Sequence, residues 1–323
     1  MKDNQMRKKG PGFYIPVSMD KQIVQSGKSD NLRFFNIAGL TIQVQADLPF
    51  SSESFASKFD KFKVEKPGDD IVLIHHHFSL PPTNKQERGR LVYSKPPWDI
   101  YEIEKNWMYM CYSRFLGKKR YHIVAFMDQG HTKAGIFHAK DAVFRKGGFQ
   151  ALTLMPTDQI LLARVLADRK GCYLHSSGVI LEGKGLLFAG HSDTGKSTIA
   201  TMLKDKAEIL CDDRIILRRW EQGFRIHGTW SHGDVTEVSA NSAPLNAILF
   251  LEHAGENRLI PLSDKKEVIA KLLACLIKPL VTTDWWNNIL TLVEKIASEV
   301  PCYVLKFDKS GGVVDVLADE LLG

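Results

Sequence analysis

Apolar and polar residues alternate along much of the first half of the chain, beginning near Leu32. The segment LTIQVQADL, residues 40–48, places every second side chain on one face, which is typical of a half-buried β-strand. Similar short runs, separated by turn residues, continue to DIVLIHHHFSL at 70–80 and RYHIVAFMD at 120–128. We therefore predict a mainly antiparallel sheet. Residues 1–30 show no period and are predicted to form a loose arm.

Helical periodicity appears after residue 150. The segment PTDQILLARVLADRK, residues 156–170, repeats apolar residues on one face, offers Thr157 as a candidate cap and stops before Gly171. The elements predicted after it are a hairpin turning at 182–185, a helix at 198–206, a strand at 207–220, a strand running into a loop at 223–230 and a strand at 245–253. Helices at 265–280 and 285–300, a strand at 302–308 and a last turn at 309–312 follow. This pattern predicts an α/β (α+β) fold, with an arm (1–30), a β-rich domain (31–150) and a second domain (151–323).

A phosphate-binding loop is predicted where an apolar run stops at Gly190. The segment GHSDTGKS, residues 190–197, fits G-x-x-x-x-G-K-[ST], in which glycines let backbone N–H groups turn toward phosphate oxygens at the start of a helix. Lys196 would reach the β- and γ-phosphates, and Ser197 would offer its hydroxyl to Mg²⁺. The residues expected to bind a nucleoside triphosphate are Gly190, His191, Ser192, Asp193, Thr194, Gly195, Lys196, Ser197 and Thr198.

Two further features flank this loop. His175 stands in LHSSGV fifteen residues before Gly190, and Asp212 and Asp213 stand in CDDR, the first of them sixteen residues after Lys196. Together with the loop, this order resembles the catalytic domain of HPr kinase/phosphorylase, a bacterial serine kinase with the phosphoenolpyruvate carboxykinase-like P-loop fold. The resemblance covers roughly residues 152–217 well and continues more loosely to the end of the chain.

The resemblance implies a role for each of these residues. Asp212 would be the base that orients the attacking hydroxyl, and Asp213 would help to hold Mg²⁺ or its water shell, with ATP as the phosphate donor. His175 would sit beside the γ-phosphate or order the carboxylate, and Lys196 would stabilise the transferred phosphate. Positioning and charge neutralisation are what lower the barrier to phosphoryl transfer, so the residue types suit the reaction.

The chain also departs from that family. The glycine-rich E-I-R-G-x-G signature is absent, and HGTWSHGDVTEV, residues 227–238, stands in its place. The first half also differs from the regulator's N-terminal domain, which argues against HPr as the substrate. The chain is more similar to the smaller HPr-kinase-like proteins of peptide-modification cassettes, where the proposed acceptor is a serine of a precursor peptide. We expect the β-rich half to recognise that acceptor.

These observations predict an ATP- and Mg²⁺-dependent serine kinase acting on a peptide or protein. Two alternatives stay open at this point. The same site could phosphorylate a free hydroxyl of a small molecule, or the protein could bind ATP as a regulator without transferring phosphate. The regulatory alternative is disfavoured because the residues expected to serve transfer are all present: Lys196, Ser197, Asp212 and His175.

Composition and charge bear on the partners of the protein, its location in the cell and the state of its cysteines. The 323 residues are 44% hydrophobic and 25% charged, and the net charge of +6 is mild and spread along the chain, so nucleic acid is not expected as a partner. No apolar run is long enough to span a membrane, and the first twenty residues lack the apolar core of a secretory signal, so we expect a cytoplasmic protein. The five cysteines are widely spaced and predict reduced, mostly buried thiols and no cysteine zinc site.

Three further signals have structural interpretations. Successive residues of a strand point to opposite faces, so the triplet His75 to His77 cannot direct all three side chains at one ion, and we interpret it as a partly exposed strand. Trp230 and His232 either line an acceptor channel or pack in the interior. The Trp285–Trp286 pair is expected in the core or at an interface.

Overall fold

The computed structural model describes residues 30–82, 88–154, 158–191, 193–282 and 284–321. Nearly all of the predicted N-terminal arm lies outside these residues. So do Thr157, the candidate helix cap, and Ser192 of the phosphate loop. Within the described ranges the chain is a mixed α/β structure with two large sheets and six α-helices.

The first half forms a nine-stranded sheet in the described residues, in the order β3-β1-β2-β4-β9-β8-β7-β6-β5. Its pairings are antiparallel except for β2 with β4 and β4 with β9, which are parallel. The prediction of a mainly antiparallel sheet is therefore confirmed, with a parallel centre that local alternation cannot reveal. The strands are β1 (Leu32–Ile37), β2 (Leu40–Ala46), β3 (Lys63–Val64), β4 (Ile71–His77), β5 (Arg90–Lys95), β6 (Trp98–Ile103), β7 (Asn106–Phe115), β8 (Lys118–Met127) and β9 (Lys133–His138).

The second half forms an eight-stranded sheet in the described residues, in which β11-β10-β13-β14-β15-β17-β16 follow one another and β12 also pairs with β10. An additional pairing of β11 with β15 closes five of these strands into a ring. The strands are β10 (Gly171–Leu181), β11 (Lys184–Ala189), β12 (Glu208–Cys211), β13 (Arg214–Trp220), β14 (Gly223–His227), β15 (Ser242–His253), β16 (Arg258–Pro261) and β17 (Cys302–Phe307).

The described helices are α1 (Ala142–Lys146), α2 (Asp158–Ala167), α3 (Lys196–Leu203), α4 (Lys265–Cys275), α5 (Trp285–Glu299) and α6 (Val313–Leu321). Four of the six described helices were predicted; α1, in the first half, and α6, at the end of the chain, were not. The prediction that the chain finishes in a turn is wrong, because Val313, Val314, Leu317 and Leu321 form a buried helical face. None of the described helices is long and apolar enough to cross a membrane.

Two predicted elements end earlier than expected because of tertiary pairing. The single strand predicted over 207–220 is divided at Asp212 and Asp213, where β12 and β13 separate while both pair with β10. The helix predicted over 265–280 ends at Cys275, since Leu276 bridges to Leu174 and the N–H of Ile277 donates to the Tyr173 carbonyl, 2.8 Å away.

The two halves of the chain share a hydrophobic core. One buried cluster contains Phe35 and Phe59 from the first half together with Leu162, Tyr173 and Trp230 from the second. The two halves are thus packed against each other through a shared interior, which is costly to open because apolar burial is the main stabilising term.

Two tryptophans that the sequence left ambiguous lie in the interior. The ring of Trp230 is 5.2 Å from each of Phe59 and Phe62, and its side chain is 3% exposed, so it packs and does not line a channel. Trp285 is 1% exposed, and its indole N–H donates to the Ala163 carbonyl at 3.0 Å. Both are core residues.

A charged cluster also joins the halves. The carboxylate of Asp70, just before β4, accepts two hydrogen bonds of 2.7 Å from Arg169 and lies 3.9 Å from Arg218. Arg218 in turn donates to the Ala38 carbonyl at 2.7 Å. Both arginines are mostly buried, with side chains 15% and 12% exposed, so their charges depend on this carboxylate.

We expect Asp70→Ala to lower the free energy of unfolding by about 1–3 kcal/mol, because it removes the carboxylate that accepts from Arg169 and is the nearby negative charge for both mostly buried guanidinium groups. Urea unfolding measures the loss. The matched control is Asp60→Ala, which removes a 59% exposed carboxylate from a surface pair with Lys63 and should cost about 0.5 kcal/mol or less. Equal losses in the two variants would contradict the structural role of Asp70.

Candidate functional site

The pocket lies where three parallel strands end. β11 pairs in parallel with β15, and β15 pairs in parallel with β17, so their carboxyl ends meet at one edge of the sheet. β11 leads into the predicted phosphate loop, β15 ends at His253, and Lys309 follows β17. A pocket of about 390 Å³ lies at this edge, lined by His253, Lys309 and residues of the loop.

The loop's second glycine is required by backbone geometry. Gly195 precedes α3 with a φ of 93°, a left-handed conformation that side chains disfavour. A Cβ at this position would lie 2.5 Å from the ring of Phe307, at the end of β17. The sheet edge and the helix therefore approach each other closely here, and the first turn of α3 faces the pocket.

The predicted loop residues divide into two groups. Asp193, Gly195, Lys196, Ser197 and Thr198 line the pocket. Gly190, His191 and Thr194 do not line it; they hold the loop together instead. The Thr194 hydroxyl donates to the His191 carbonyl at 2.8 Å, and the Lys196 ammonium donates to the carbonyls of Gly190 and His191 at 3.0 and 2.6 Å.

Lys196, the first residue of α3, is a mostly buried cation. Burial lowers the pKa of its ammonium from the usual range, while Cys275 and the carboxylates of Asp213, Asp193 and Asp212 act in the opposite direction. Its side chain is thus surrounded by the loop on one side and by acidic groups on the other. A flexible ammonium in this position can turn toward an anion in the pocket.

Asp212 is a buried carboxylate with three hydrogen-bond donors around it. Its side chain accepts from the Ser197 hydroxyl at 2.9 Å and from the N–H groups of Gly233 and Val235 at 2.6 and 2.9 Å. Asp212 is only 2% exposed, and these bonds offset the cost of burying its charge. A Cβ at Gly233 would lie 3.1 Å from the same carboxylate, so the close approach requires a small residue.

Asp213 has different neighbours. Its carboxylate lies 3.3 Å from Nε2 of His175 and accepts from the guanidinium of Arg214. Burial raises the pKa of Asp213, but the hydrogen bond from His175 and the positive charges of Arg214 and Lys196 outweigh it and hold the pKa below its usual range. Asp213 is thus a carboxylate kept ionised at neutral pH and oriented from two sides.

Strand pairing explains why His175 meets the carboxylates. His175 of β10 is paired with Arg214 of β13, and the next residue, Ser176, is paired with Ala189 at the end of β11. The N–H of Ser176 also donates to the Asp213 carbonyl at 3.0 Å. β10 therefore brings the histidine, the aspartates and the start of the phosphate loop together.

Several residues at the site carry no recognisable sequence signal. His253 and Lys309 reach the pocket because of the parallel strands before them, and Gly233 and Asp234 reach it through the segment 227–238. Arg214 alone could have been found, since it directly follows the aspartate pair. The segment 227–238 binds the first aspartate, Asp212, through the N–H groups of Gly233 and Val235.

A family comparison agrees with the predicted relation to proteins of peptide-modification cassettes. A family model described as "SynChlorMet cassette protein ScmC" matches residues 150–321, slightly more than half of the chain. No curated protein matches the chain. Among solved structures, 46 chains match. One, the Hpr(Ser) kinase/phosphatase from Coxiella burnetii, is 13% identical and covers 47% of this chain and 99% of its own, with a TM-score of 0.28.

We expect Gly195→Ala to lower the free energy of unfolding by about 1–3 kcal/mol, because it forces a Cβ into a left-handed conformation and against Phe307. The control is Gly255→Ala, at a glycine whose Cβ would meet nothing within 4 Å. Its unfolding free energy should change by about 0.5 kcal/mol or less. Denaturant titration compares the two, and a Gly195→Ala protein as stable as the control would refute the strained turn.

Proposed function

The chain belongs to the SynChlorMet cassette protein ScmC family, and from that premise we propose that it is a kinase that uses ATP and Mg²⁺ to phosphorylate a serine of a peptide or protein. The observation that carries the proposal is the convergence, in one pocket, of the phosphate loop, the two aspartates and His175. A loop that presents backbone N–H groups and a lysine at a helix start is suited to a polyphosphate.

The residues present fit a nucleoside triphosphate. α3 begins at the pocket, so its N-terminal N–H groups can receive phosphate oxygens. Lys196 would leave the loop carbonyls and turn to the β- and γ-phosphates, as a lysine in this motif does. Lys309 and His253 also line the pocket and add donors for a phosphate group.

The donor set also fits Mg²⁺, which prefers oxygen ligands. The Ser197 hydroxyl and the Asp212 carboxylate are already joined by a 2.9 Å hydrogen bond, an arrangement that suits a serine and an aspartate holding the ion together. When bound, Mg²⁺ would neutralise charge on the β- and γ-phosphates. We therefore assign Asp212 to the metal and not to the base, which exchanges the roles expected from the resemblance.

Asp213 is better placed to orient the acceptor. It is more exposed than Asp212, it is ionised, and His175 and Arg214 fix its direction. In the proposed reaction Asp213 takes the proton of the serine hydroxyl as the serine oxygen attacks the γ-phosphorus, and the bond to the leaving ADP breaks. His175 would keep the carboxylate aimed at the hydroxyl.

A short element of the first half contacts the segment 227–238. A 3-10 helix, Ser57–Phe62, packs against Trp230, and the Lys61 ammonium donates to the Val238 carbonyl at 2.7 Å. Both contacts fall on the segment 227–238, which also binds Asp212. We propose that a peptide acceptor is received along this junction, so that the β-rich half recognises the acceptor and the second half transfers the phosphate.

The direct test is to incubate the full-length protein with γ-labelled ATP, Mg²⁺ and serine-containing peptides. We expect label on the serine peptide and none on the same peptide with Ser→Ala. Label on a small hydroxyl compound alone would favour a small-molecule kinase. ATP binding with no transfer to either class would favour a regulator.

Lys196→Ala should abolish both ATP binding and transfer in that experiment, since it removes the cation facing two phosphates. Calorimetry with ATP and Mg²⁺ measures the binding. Lys204→Ala, an exposed lysine just after α3, is the control and should bind ATP as the unaltered protein does. An unchanged ATP affinity in Lys196→Ala would overturn the phosphate-loop assignment.

Substitutions of the two aspartates should differ in their effects on ATP binding and on phosphate transfer. Asp213→Asn should retain binding of ATP with Mg²⁺ while transfer falls by about 10²–10⁴-fold, the range for a lost general base. Asp212→Asn should weaken the Mg²⁺ dependence of ATP binding itself. Asp205→Asn, at an exposed residue in the turn after α3, serves as the control. If Asp212→Asn loses transfer and keeps Mg²⁺-dependent binding, the roles revert to those expected from the sequence.

A further inference from the structure

The histidine triplet of β4 divides between the two faces of the front sheet. His76 is 1% exposed; its ring lies 3.0 Å from Nε2 of His138 and 2.9 Å from the Leu152 carbonyl. His75 and His77 point to the opposite, partly exposed face, and their rings are 4.0 Å apart. Alternation thus excludes a three-histidine site and leaves a pair of histidines side by side.

A carboxylate completes this pair. Asp47 follows β2, which runs parallel to β4, and its N–H donates to the His76 carbonyl at 3.0 Å. Its two oxygens lie 2.9 Å from Nε2 of His75 and 3.0 Å from Nδ1 of His77. All three potential ligand atoms lie within 4.8 Å of one another.

The sheet register and a ring contact both fix the positions of these three side chains. The sheet register places Asp47 beside the two histidines, and the ring of His77 stacks on Phe137 of β9 at 4.5 Å and 18°. Here one carboxylate is shared by two imidazoles. A cation between them would satisfy all three groups at once.

We propose that Asp47, His75 and His77 form a Zn²⁺ site. Two imidazole nitrogens and one carboxylate oxygen form the donor set of three-ligand zinc sites. Tetrahedral Zn²⁺ with bonds of about 2.1 Å separates its ligand atoms by about 3.4 Å. The Asp47 contacts of 2.9 and 3.0 Å are slightly shorter than this, and all three ligand atoms lie within 4.8 Å of one another.

The site keeps at least one coordination position for water or for a donor from another molecule. The three side chains are 48%, 25% and 22% exposed for Asp47, His75 and His77, which leaves the ion accessible from the solvent side of the sheet. None of the three lines the phosphate pocket, so the zinc site is separate from it and does not depend on the proposed kinase activity.

The test uses the full-length protein without a polyhistidine tag, stripped of metal with a chelator and dialysed. Zinc chloride is titrated by calorimetry in excess Mg²⁺, which occupies oxygen sites and competes poorly for imidazole. We expect one equivalent of Zn²⁺ to bind. Combined His75→Gln and His77→Gln, and separately Asp47→Asn, should each weaken that binding by at least about tenfold.

Two controls make the result specific. His122→Gln alters an exposed histidine of β8 that bonds to Ser113, and Asp60→Asn alters an exposed carboxylate; both should bind Zn²⁺ as the unaltered protein does. Bound Co²⁺ gives a second readout, since its visible absorption reports nitrogen ligands in a tetrahedral site and should disappear in the double histidine variant. Absence of Zn²⁺ binding, or binding that persists unchanged in both the Asp47 and the histidine variants, would overturn the proposal.

Discussion

The buried carboxylate of Asp212 ties together the segments that make the pocket. It binds the start of α3 through Ser197 and the segment 227–238 through Gly233 and Val235, while its own backbone ends β12. A carboxyl group at 2% exposure is tolerated only when its oxygens are hydrogen-bonded, so these donors must hold their positions. The geometry of the phosphate loop and of the segment opposite it is therefore coupled through one side chain.

That coupling reaches the first half of the chain by packing. Trp230 lies in the same segment as Gly233, and it is held between Phe59 and Phe62 of the front half. A displacement of the 3-10 helix would thus shift the segment that binds Asp212, because close-packed interiors transmit small shifts. This gives a physical route by which a molecule bound to the β-rich half could influence the pocket.

The two candidate ion sites differ in donor chemistry as well as in place. Ser197 and Asp212 offer oxygen ligands at the carboxyl end of parallel strands, which suits Mg²⁺ beside phosphates. Asp47, His75 and His77 offer two nitrogens and an oxygen on the open face of the other sheet, which suits Zn²⁺. The two proposed sites thus differ in ligand type, with oxygen donors at the phosphate pocket and nitrogen and oxygen donors on the front sheet.

The sequence by itself determined the local features of this protein. The loop at 190–197 could be found because its spacing is written in adjacent residues, and α2, α4 and α5 because apolar side chains recur at helical spacing. Family membership agrees with the expected relation to cassette proteins, whereas serine phosphorylation stays a proposal.

Tertiary structure decided which distant segments meet. The division of one predicted strand at Asp212, the arrival of His253 and Lys309 at the pocket, and the position of Asp47 beside two histidines all follow from strand pairings between segments far apart in the chain. Local periodicity specifies the face that a residue occupies, but the neighbour on that face is set by the register and order of the sheet, and these depend on packing across the whole fold.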